Sequence, residues 1–257
     1  FEFRAVGGSA NPASPMTALN TVVASQLIQF KKDVDGLINK GVKKDEAILQ
    51  VLRNYIKASK KIRFEGNNYG DEWVKEAEKR GLTNIKDVPQ ALDAYIKDKK
   101  ILIDMGIFNE KELEARTEVR WENYIKKVQI EARVLGDLAI NHIIPTAIRY
   151  QTELMENVKG MKELFDEKTY KELASARLEL IKEISRHISS IKLKVKEMIE
   201  LRKEANAIEN IREMAEIYSK KVFPYLDIIR EHIDDLELIV DDEIWPIPKY
   251  RELLFTR

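Results

Sequence analysis

The sequence contains no cysteine among its 257 residues. The chain therefore cannot form a disulfide, a zinc site built on thiolates or a thiol nucleophile, and its composition fits a reducing compartment such as the cytoplasm. Glycine and proline are also scarce, with 10 and 7 residues. Scarcity of both residues together with 34% charged residues favours long helices with solvated faces.

The chain also lacks an excess of charge of either sign. Lys and Arg number 44 and Asp and Glu number 44, so the formal net charge is zero. No overall positive field is available to hold nucleic acid or anionic lipid, and we expect neither partner. No apolar run approaches the roughly 20 residues of a membrane span, and no signal peptide opens the sequence. We therefore expect a soluble, cytoplasmic protein.

Apolar residues recur at steps of three and four along most of the chain, which predicts amphipathic helices. The first helix is predicted after Ser14 as N-cap and Pro15 as first helical residue, and is expected to stop near Gly41. Further helices are predicted before Gly81 and Gly106. In the second helix the residues predicted to face inward are Ile48, Leu52, Tyr55 and Ile56.

Two long helical segments are predicted in the second half of the chain. Asn109 with Glu112 is typical of a helix start, and that helix could continue to about Ile144 and, after a kink at Pro145, to Gly160. The next segment carries a heptad seam, and we expect antiparallel packing. The seam comprises Ile181, Ile184, Ile188, Ile191, Val195 and Met198.

The fold class predicted from these patterns is all-α, an elongated bundle of long antiparallel helices with one short N-terminal strand. The strand is FEFRAV, in which Phe1 and Phe3 alternate with Glu2 and Arg4. At the other end, two prolines break the helical pattern. The tail is apolar enough that we expect it to dock through Trp245, Leu253, Leu254 and Phe255.

No recognisable catalytic motif is present beyond the first strand. His142, His187 and His232 each lie on a different predicted helix without a recognisable metal motif, and we interpret them as ordinary helix histidines. Glu2 and Arg4 share one strand face, which in isolation is most often a surface ion pair. The three tryptophans are interpreted as core anchors.

The residues around Glu2 and Arg4 change that interpretation. The segment FEFRAVGGSANPASPMTALNTVVASQL resembles the last strand, loop and following helix of the glutamine synthetase catalytic domain, with its E-x-R strand and A-N-P loop. The rest of the chain is similar to the C-terminal region of type III glutamine synthetases. The segments that carry this similarity are RFEGNNYGDEWVKEAEKRGL, WENYIKKVQIEARVLGDLAINHIIPTAIRY and WPIPKYRELLF.

The resemblance implies an ATP-dependent glutamate–ammonia ligase that works with Mg²⁺ or Mn²⁺ and forms double hexameric rings. It assigns Glu2 to the divalent metal and Arg4 to the phosphoryl group in transfer, and it leaves the family's other metal ligands outside this sequence. We therefore expect a C-terminal fragment that is inactive alone and binds neither ATP nor metal. Residues 1–39 would close the catalytic domain and residues 40–257 would form a helical module with a docked Pro/aromatic tail.

Two roles for the helical module stay open: it could build contacts within or between subunits, or its loop RFEGNNYG could reach toward an active site. The alternative to the enzyme interpretation is a non-enzymatic helical scaffold or protein-interaction module. A helical module on a membrane surface is disfavoured because basic residues are balanced by acidic ones.

Overall fold

The computed structural model describes residues 11–67 and 70–255. These residues are mainly helical and include no β-strand, which confirms the all-α prediction. The strand predicted for FEFRAV lies outside the described residues. The chain divides into two compact units, Phe1–Thr117 and Glu118–Arg257.

The first unit is built from short helices that follow a longer one. Helices α1 and α2 pack around Val34, Ala47 and Val51, and the Tyr55 hydroxyl of α2 donates a 2.6 Å hydrogen bond to Asp33 of α1. The elements are α1 (Ala13–Ile38), α2 (Lys44–Ala58), a 3₁₀ turn (Ser59–Ile62), α3 (Asp71–Lys79), α4 (Val88–Lys97) and α5 (Lys100–Asp104).

Glycine ends two of these helices where the sequence predicted it. Gly41 has φ of 89° and Gly81 has φ of 73°, a left-handed conformation that a Cβ atom makes costly. The amide of Gly81 donates to the carbonyl of Glu78, and the following amide of Leu82 donates to Ala77. The positive φ of Gly81 thus directs the chain away from the axis of α3, while the last carbonyls of this helix stay hydrogen-bonded.

Three details of the first unit differ from the prediction. Ser14 is not the N-cap, because α1 already begins at Ala13 and the Asn11 side chain accepts a 2.9 Å hydrogen bond from the Ala13 amide. Leu52 and Ile56 are 43% and 53% exposed, since Ala47 and Val51 occupy the face that α1 covers. The segment predicted as one helix before Gly106 is divided into α4 and α5.

The second unit contains the long helices. Its elements follow from α6 (Glu110–Leu138) through a π-helical turn (Ala139–Ile143) into α7 (Ile144–Leu164), then α8 (Glu167–Asn206), α9 (Ile211–Ile217), a second π-helical turn (Tyr218–Val222), α10 (Pro224–Ile239) and α11 (Tyr250–Leu253). The start predicted at Asn109 is confirmed, because its side chain accepts a 2.8 Å hydrogen bond from the Glu112 amide.

Each π-helical turn ends two residues before a proline. The amide of Ile144 donates to the carbonyl of Ala139, and that of Phe223 donates to Tyr218, five residues back in both cases. Proline cannot donate and its ring crowds the carbonyl four residues earlier, so the wider turn lets the helix pass Pro145 and Pro224 without ending. The predicted continuation past Pro145 is confirmed and extends to Leu164.

Helix α8 is the centre of the second unit and packs against α7 and α10. Only a two-residue turn joins α7 to α8, so the two run antiparallel, as Gln151 donating to the carbonyl of Ile181 confirms. The heptad seam predicted from the sequence faces this core. Its buried members are Ile184, Ile191, Val195 and Met198.

The C-terminal tail docks in part. Trp245 is 8% exposed and the Lys249 ammonium lies 5.7 Å from its ring centroid. The same ammonium donates a 2.6 Å hydrogen bond to the carbonyl of Glu237 in α10. Leu254 and Phe255 are exposed. Docking was therefore correctly predicted for Trp245 but not for these last apolar residues.

Candidate functional site

Glu2 and Arg4, the predicted metal ligand and phosphoryl-binding residue, lie outside the described residues. Their roles therefore stay predictions. The described part of the chain offers four other features with a bearing on function: the loop before α3, the outer face of α1, a groove beside Gly136 and a pair of histidines.

The loop before α3 contacts α3 through two aromatic side chains. The ring of Phe64 lies 4.5 Å from that of Trp73, centroid to centroid. A Cβ atom at Gly66 would come within 2.5 Å of the Phe64 ring, so any other residue at this position would require the ring to move. Residues 68 and 69 of this loop lie outside the described part.

Arg80 links the start of this loop to α3 by hydrogen bonds. Its guanidinium donates to the carbonyls of Lys61 at 3.2 Å and Arg63 at 2.7 Å, and its Nε donates to Glu76 at 2.6 Å. The hydrogen bond from Arg80 lowers the pKa of Glu76 below its ordinary value, against the effect of desolvation. The planar guanidinium can make all three contacts at once, which a lysine cannot.

Helix α1 exposes a large apolar surface. The most exposed of the large apolar side chains of α1 is Leu27, at 62%. Isolated exposed apolar residues are normal on a soluble protein, but a concentration within 13 residues of one helix is typical of a surface that packs against another element. We call this the α1 patch. It comprises Met16, Leu19, Val22, Val23, Leu27 and Ile28.

A groove of about 520 Å³ lies between α6 and α8 beside Gly136. Val195 and Met198 of α8 approach to 3.5 and 3.6 Å of the position that a Cβ of Gly136 would take. The residues that line the groove are mostly apolar and also include Arg133 and Arg202. A methyl group at Gly136 would meet the side chains of Val195 and Met198 at ordinary contact distance.

The structure brings together two histidines that the sequence analysis treated separately. The Nδ1 atoms of His187 in α8 and His232 in α10 lie 3.3 Å apart, with ring planes inclined at 69°. The Oδ2 atom of Asp235 lies 3.8 Å from Nδ1 of His187. One ligand atom from each of the three residues lies within 4.8 Å of the others.

Sequence reasoning missed this cluster because its partners are 45 residues apart. One signal was available, since Asp235 follows His232 by three residues and therefore shares its helix face. The position of His187 opposite them depends on the antiparallel register of α8 and α10. His142 does not join the cluster and is exposed in the first π-helical turn.

No helix within the described residues combines the length and the apolar character that crossing a membrane requires.

Comparison with known proteins shows what the chain is similar to. A family model described as "Glutamine synthetase C-terminal domain" matches residues 47–162. A glutamine synthetase of Bacteroides fragilis (strain YCH46) is 55% identical to the chain over 259 residues, an alignment that covers 100% of the chain and 36% of that protein. Residues 47–162 of the chain are therefore similar to the C-terminal domain of glutamine synthetases.

Two more distant relatives agree with this assignment. A type-3 glutamine synthetase of Dictyostelium discoideum is 28% identical over 100% of the chain and 35% of its own length. A glutamine synthetase of Butyrivibrio fibrisolvens is 28% identical over 99% of the chain and 36% of its own length. The resemblance predicted from the sequence is confirmed, and the chain spans about a third of the length of the relatives it matches.

The match to the family model begins in α2 and ends in α7. It therefore includes Arg80 with the loop that this residue holds, and the first π-helical turn. The α1 patch and the His187–His232 pair lie outside the matched residues, although all three relatives align with nearly the whole chain.

Proposed function

We propose that the chain forms the C-terminal part of an ATP-dependent glutamate–ammonia ligase. The observation that carries this proposal is the 55% identity over the whole chain to a protein named glutamine synthetase. In the proposed reaction ATP phosphorylates the side-chain carboxylate of glutamate, and ammonia then displaces phosphate to give glutamine. We propose that the enzyme acts in the cytoplasm.

Glu2 and Arg4 are the proposed contribution of this chain to the chemistry. A carboxylate is the ligand type that Mg²⁺ or Mn²⁺ prefers, and a guanidinium fork suits the oxygens of a phosphoryl group. Placed on one strand face, Glu2 would hold a divalent ion while Arg4 stabilises negative charge on the group in transfer. A single candidate carboxylate is too few for the metal centre, so we propose that the chain alone is inactive.

The remaining residues are proposed to serve structure and assembly. We assign residues 1–39 to the catalytic domain and residues 40–257 to a helical module of a homo-oligomer, a double hexameric ring as in the family. The α1 patch lies within residues 1–39, and its exposure supports the assignment of these residues to the catalytic domain, because a helix with such a face gains stability when another part of that domain covers it. Arg80 donates hydrogen bonds to two carbonyls at the start of the loop RFEGNNYG. We propose that this loop contacts a neighbouring part of the enzyme.

The experiment that tests the proposed site uses the full-length protein that contains this chain. Glu2→Gln and Arg4→Ala should each lower the rate of glutamine formation by about two orders of magnitude or more. Glu46→Gln and Arg53→Ala remove the same charges from exposed positions of α2 and should leave the rate within about twofold. Equal activity of all four variants would remove Glu2 and Arg4 from the proposed site.

A further inference from the structure

We propose that His187, His232 and Asp235 bind a divalent transition-metal ion and that Zn²⁺ fits the site best. This proposal is independent of the proposed ligase reaction. It also departs from the expectation that the chain binds no metal.

The spacing of the two imidazole nitrogens is the first argument. Zn²⁺ binds histidine nitrogen at about 2.0–2.1 Å, and a tetrahedral site then separates two such nitrogens by about 3.3 Å. The Nδ1 atoms of His187 and His232 are separated by 3.3 Å. Two nitrogens that face each other at this distance could be joined by one ion without movement of either helix.

Asp235 supplies the third ligand. Its carboxylate oxygen lies 3.8 Å from Nδ1 of His187, about half an ångström more than a tetrahedral site requires. The side chain is 59% exposed, so a small rotation brings it into place and an ion can enter from solvent. With two histidines and one carboxylate bound, the fourth position would be taken by water.

The ligand types select the class of ion. Imidazole nitrogen suits Zn²⁺, Cu²⁺ and Ni²⁺, whereas Mg²⁺ and Ca²⁺ require mainly oxygen ligands. We therefore expect Zn²⁺ to bind and Mg²⁺ not to compete at similar concentrations. The neighbouring carboxylate of Asp234 is engaged by Arg230 at 3.3 Å, which leaves Asp235 as the carboxylate of this turn that lies beside both histidines.

The ion would link two helices of the second unit. His187 lies near the middle of α8, and His232 and Asp235 lie on α10, which packs against α8. A ligand that binds the folded state and not the unfolded chain raises stability in proportion to the logarithm of its concentration. We therefore expect a structural role in which bound Zn²⁺ holds α10 against α8.

The test is a titration of the metal-free 257-residue chain with Zn²⁺ alone, followed by calorimetry and by thermal unfolding. We expect one equivalent to bind and the melting temperature to rise with the Zn²⁺ concentration. Co²⁺ in place of Zn²⁺ should give the strong visible absorption of a tetrahedral site. If Zn²⁺ does not bind, the two imidazoles share only a hydrogen bond and the proposal is wrong.

Matched variants locate the ion. His187→Gln and His232→Gln should each weaken Zn²⁺ binding at least about tenfold, whereas His142→Gln, the third histidine of the chain, should bind as the unchanged protein does. Asp235→Asn tests the carboxylate at an exposed position where misfolding is no concern, with Asp234→Asn as its control. Undiminished binding in the His187 and His232 variants, or equal loss in the His142 variant, would overturn the assignment.

Discussion

The hydroxyl of Tyr218 donates a 2.7 Å hydrogen bond to the side-chain oxygen of Asn206 at the end of α8. The amide of Gln129 in α6 donates to both groups, at 3.2 Å to the hydroxyl and 3.3 Å to the Asn206 oxygen. Tyr218 is completely buried and begins the second π-helical turn. These three side chains thus connect α6, α8 and the segment before α10 within the second unit.

Removing the Tyr218 hydroxyl tests this network. Tyr218→Phe leaves the ring in the core but removes the hydrogen bond to Asn206 and the one accepted from Gln129, so the free energy of unfolding should fall by about 1–2 kcal/mol. Urea unfolding of the chain measures this change, with an unchanged m value. Tyr170→Phe in α8, where the hydroxyl bonds to no described residue, should change the free energy by less than about 0.5 kcal/mol. Similar losses in both variants would contradict the account.

Gly136 is predicted to accept one methyl group and no more. A Cβ there would meet Val195 and Met198 at 3.5 and 3.6 Å, ordinary contact distances, so Gly136→Ala should be neutral or stabilising by up to about 1 kcal/mol. Gly136→Val should push the helices apart and cost about 1–3 kcal/mol.

Gly160 provides the control for the helix-propensity part of this effect. No neighbouring atom lies within 4 Å of the position of its added Cβ, so Gly160→Ala should stabilise α7 by about 0.5–1 kcal/mol. Thermal unfolding of the four proteins compares these effects. A Gly136→Val chain as stable as the Gly136→Ala chain would show that α6 and α8 are not closely packed at this point.

The ion pair of Glu76 and Arg80 should make the first unit sensitive to acid. The hydrogen bond from Arg80 lowers the pKa of Glu76, so the pair contributes stability that is fully present above the ordinary carboxyl pKa near 4.5. That stability is lost as the pH falls through the lower pKa of the folded state. Glu76→Gln should therefore be less stable than the unchanged chain at pH 6, and the difference should decrease as the pH falls below about 4.5.

Thermal unfolding between pH 6 and pH 3 measures this dependence. Glu118→Gln, an exposed position on α6, serves as the control and should show a small difference at every pH. A stability difference for Glu76→Gln that persists at pH 3 would show that the carboxylate does not act through its charge.

The α1 patch is predicted to be buried in the full-length protein. Leu27→Glu places a charge in the patch, where Leu27 is 62% exposed in this chain, and Leu238→Glu makes the same change on α10, where Leu238 is 85% exposed. Both chains should keep their helical content. In the full-length protein only Leu27→Glu should reduce assembly, as measured by mass photometry. Intact assembly of the Leu27→Glu protein would remove the proposed role of the patch.

The sequence predicted those parts of the fold that depend on local pattern. The seam residues Ile184, Ile191 and Val195 are buried because a heptad repeat keeps one helix face toward its neighbours. Gly41 and Gly81 end helices because the left-handed conformation there favours glycine. Such features require only residues within one or two helical turns.

The parts that could not be predicted depend on contacts between distant residues. His187 and His232 meet because of the register between two antiparallel helices, and a shift by one turn would separate them. Leu52 is exposed although its spacing matches an inward face, because α1 covers Ala47 and Val51 instead. The helix periodicity could not show which of two adjoining apolar faces would have a neighbour.

The most direct test of the proposed function is glutamine formation from glutamate, ammonia and ATP with Mg²⁺, measured in parallel for the full-length protein that contains this chain and for the chain alone. We expect glutamine from the full-length protein and none from the chain. No glutamine from the full-length protein would contradict the ligase assignment, and glutamine from the chain alone would contradict the proposal that its active site requires residues from elsewhere.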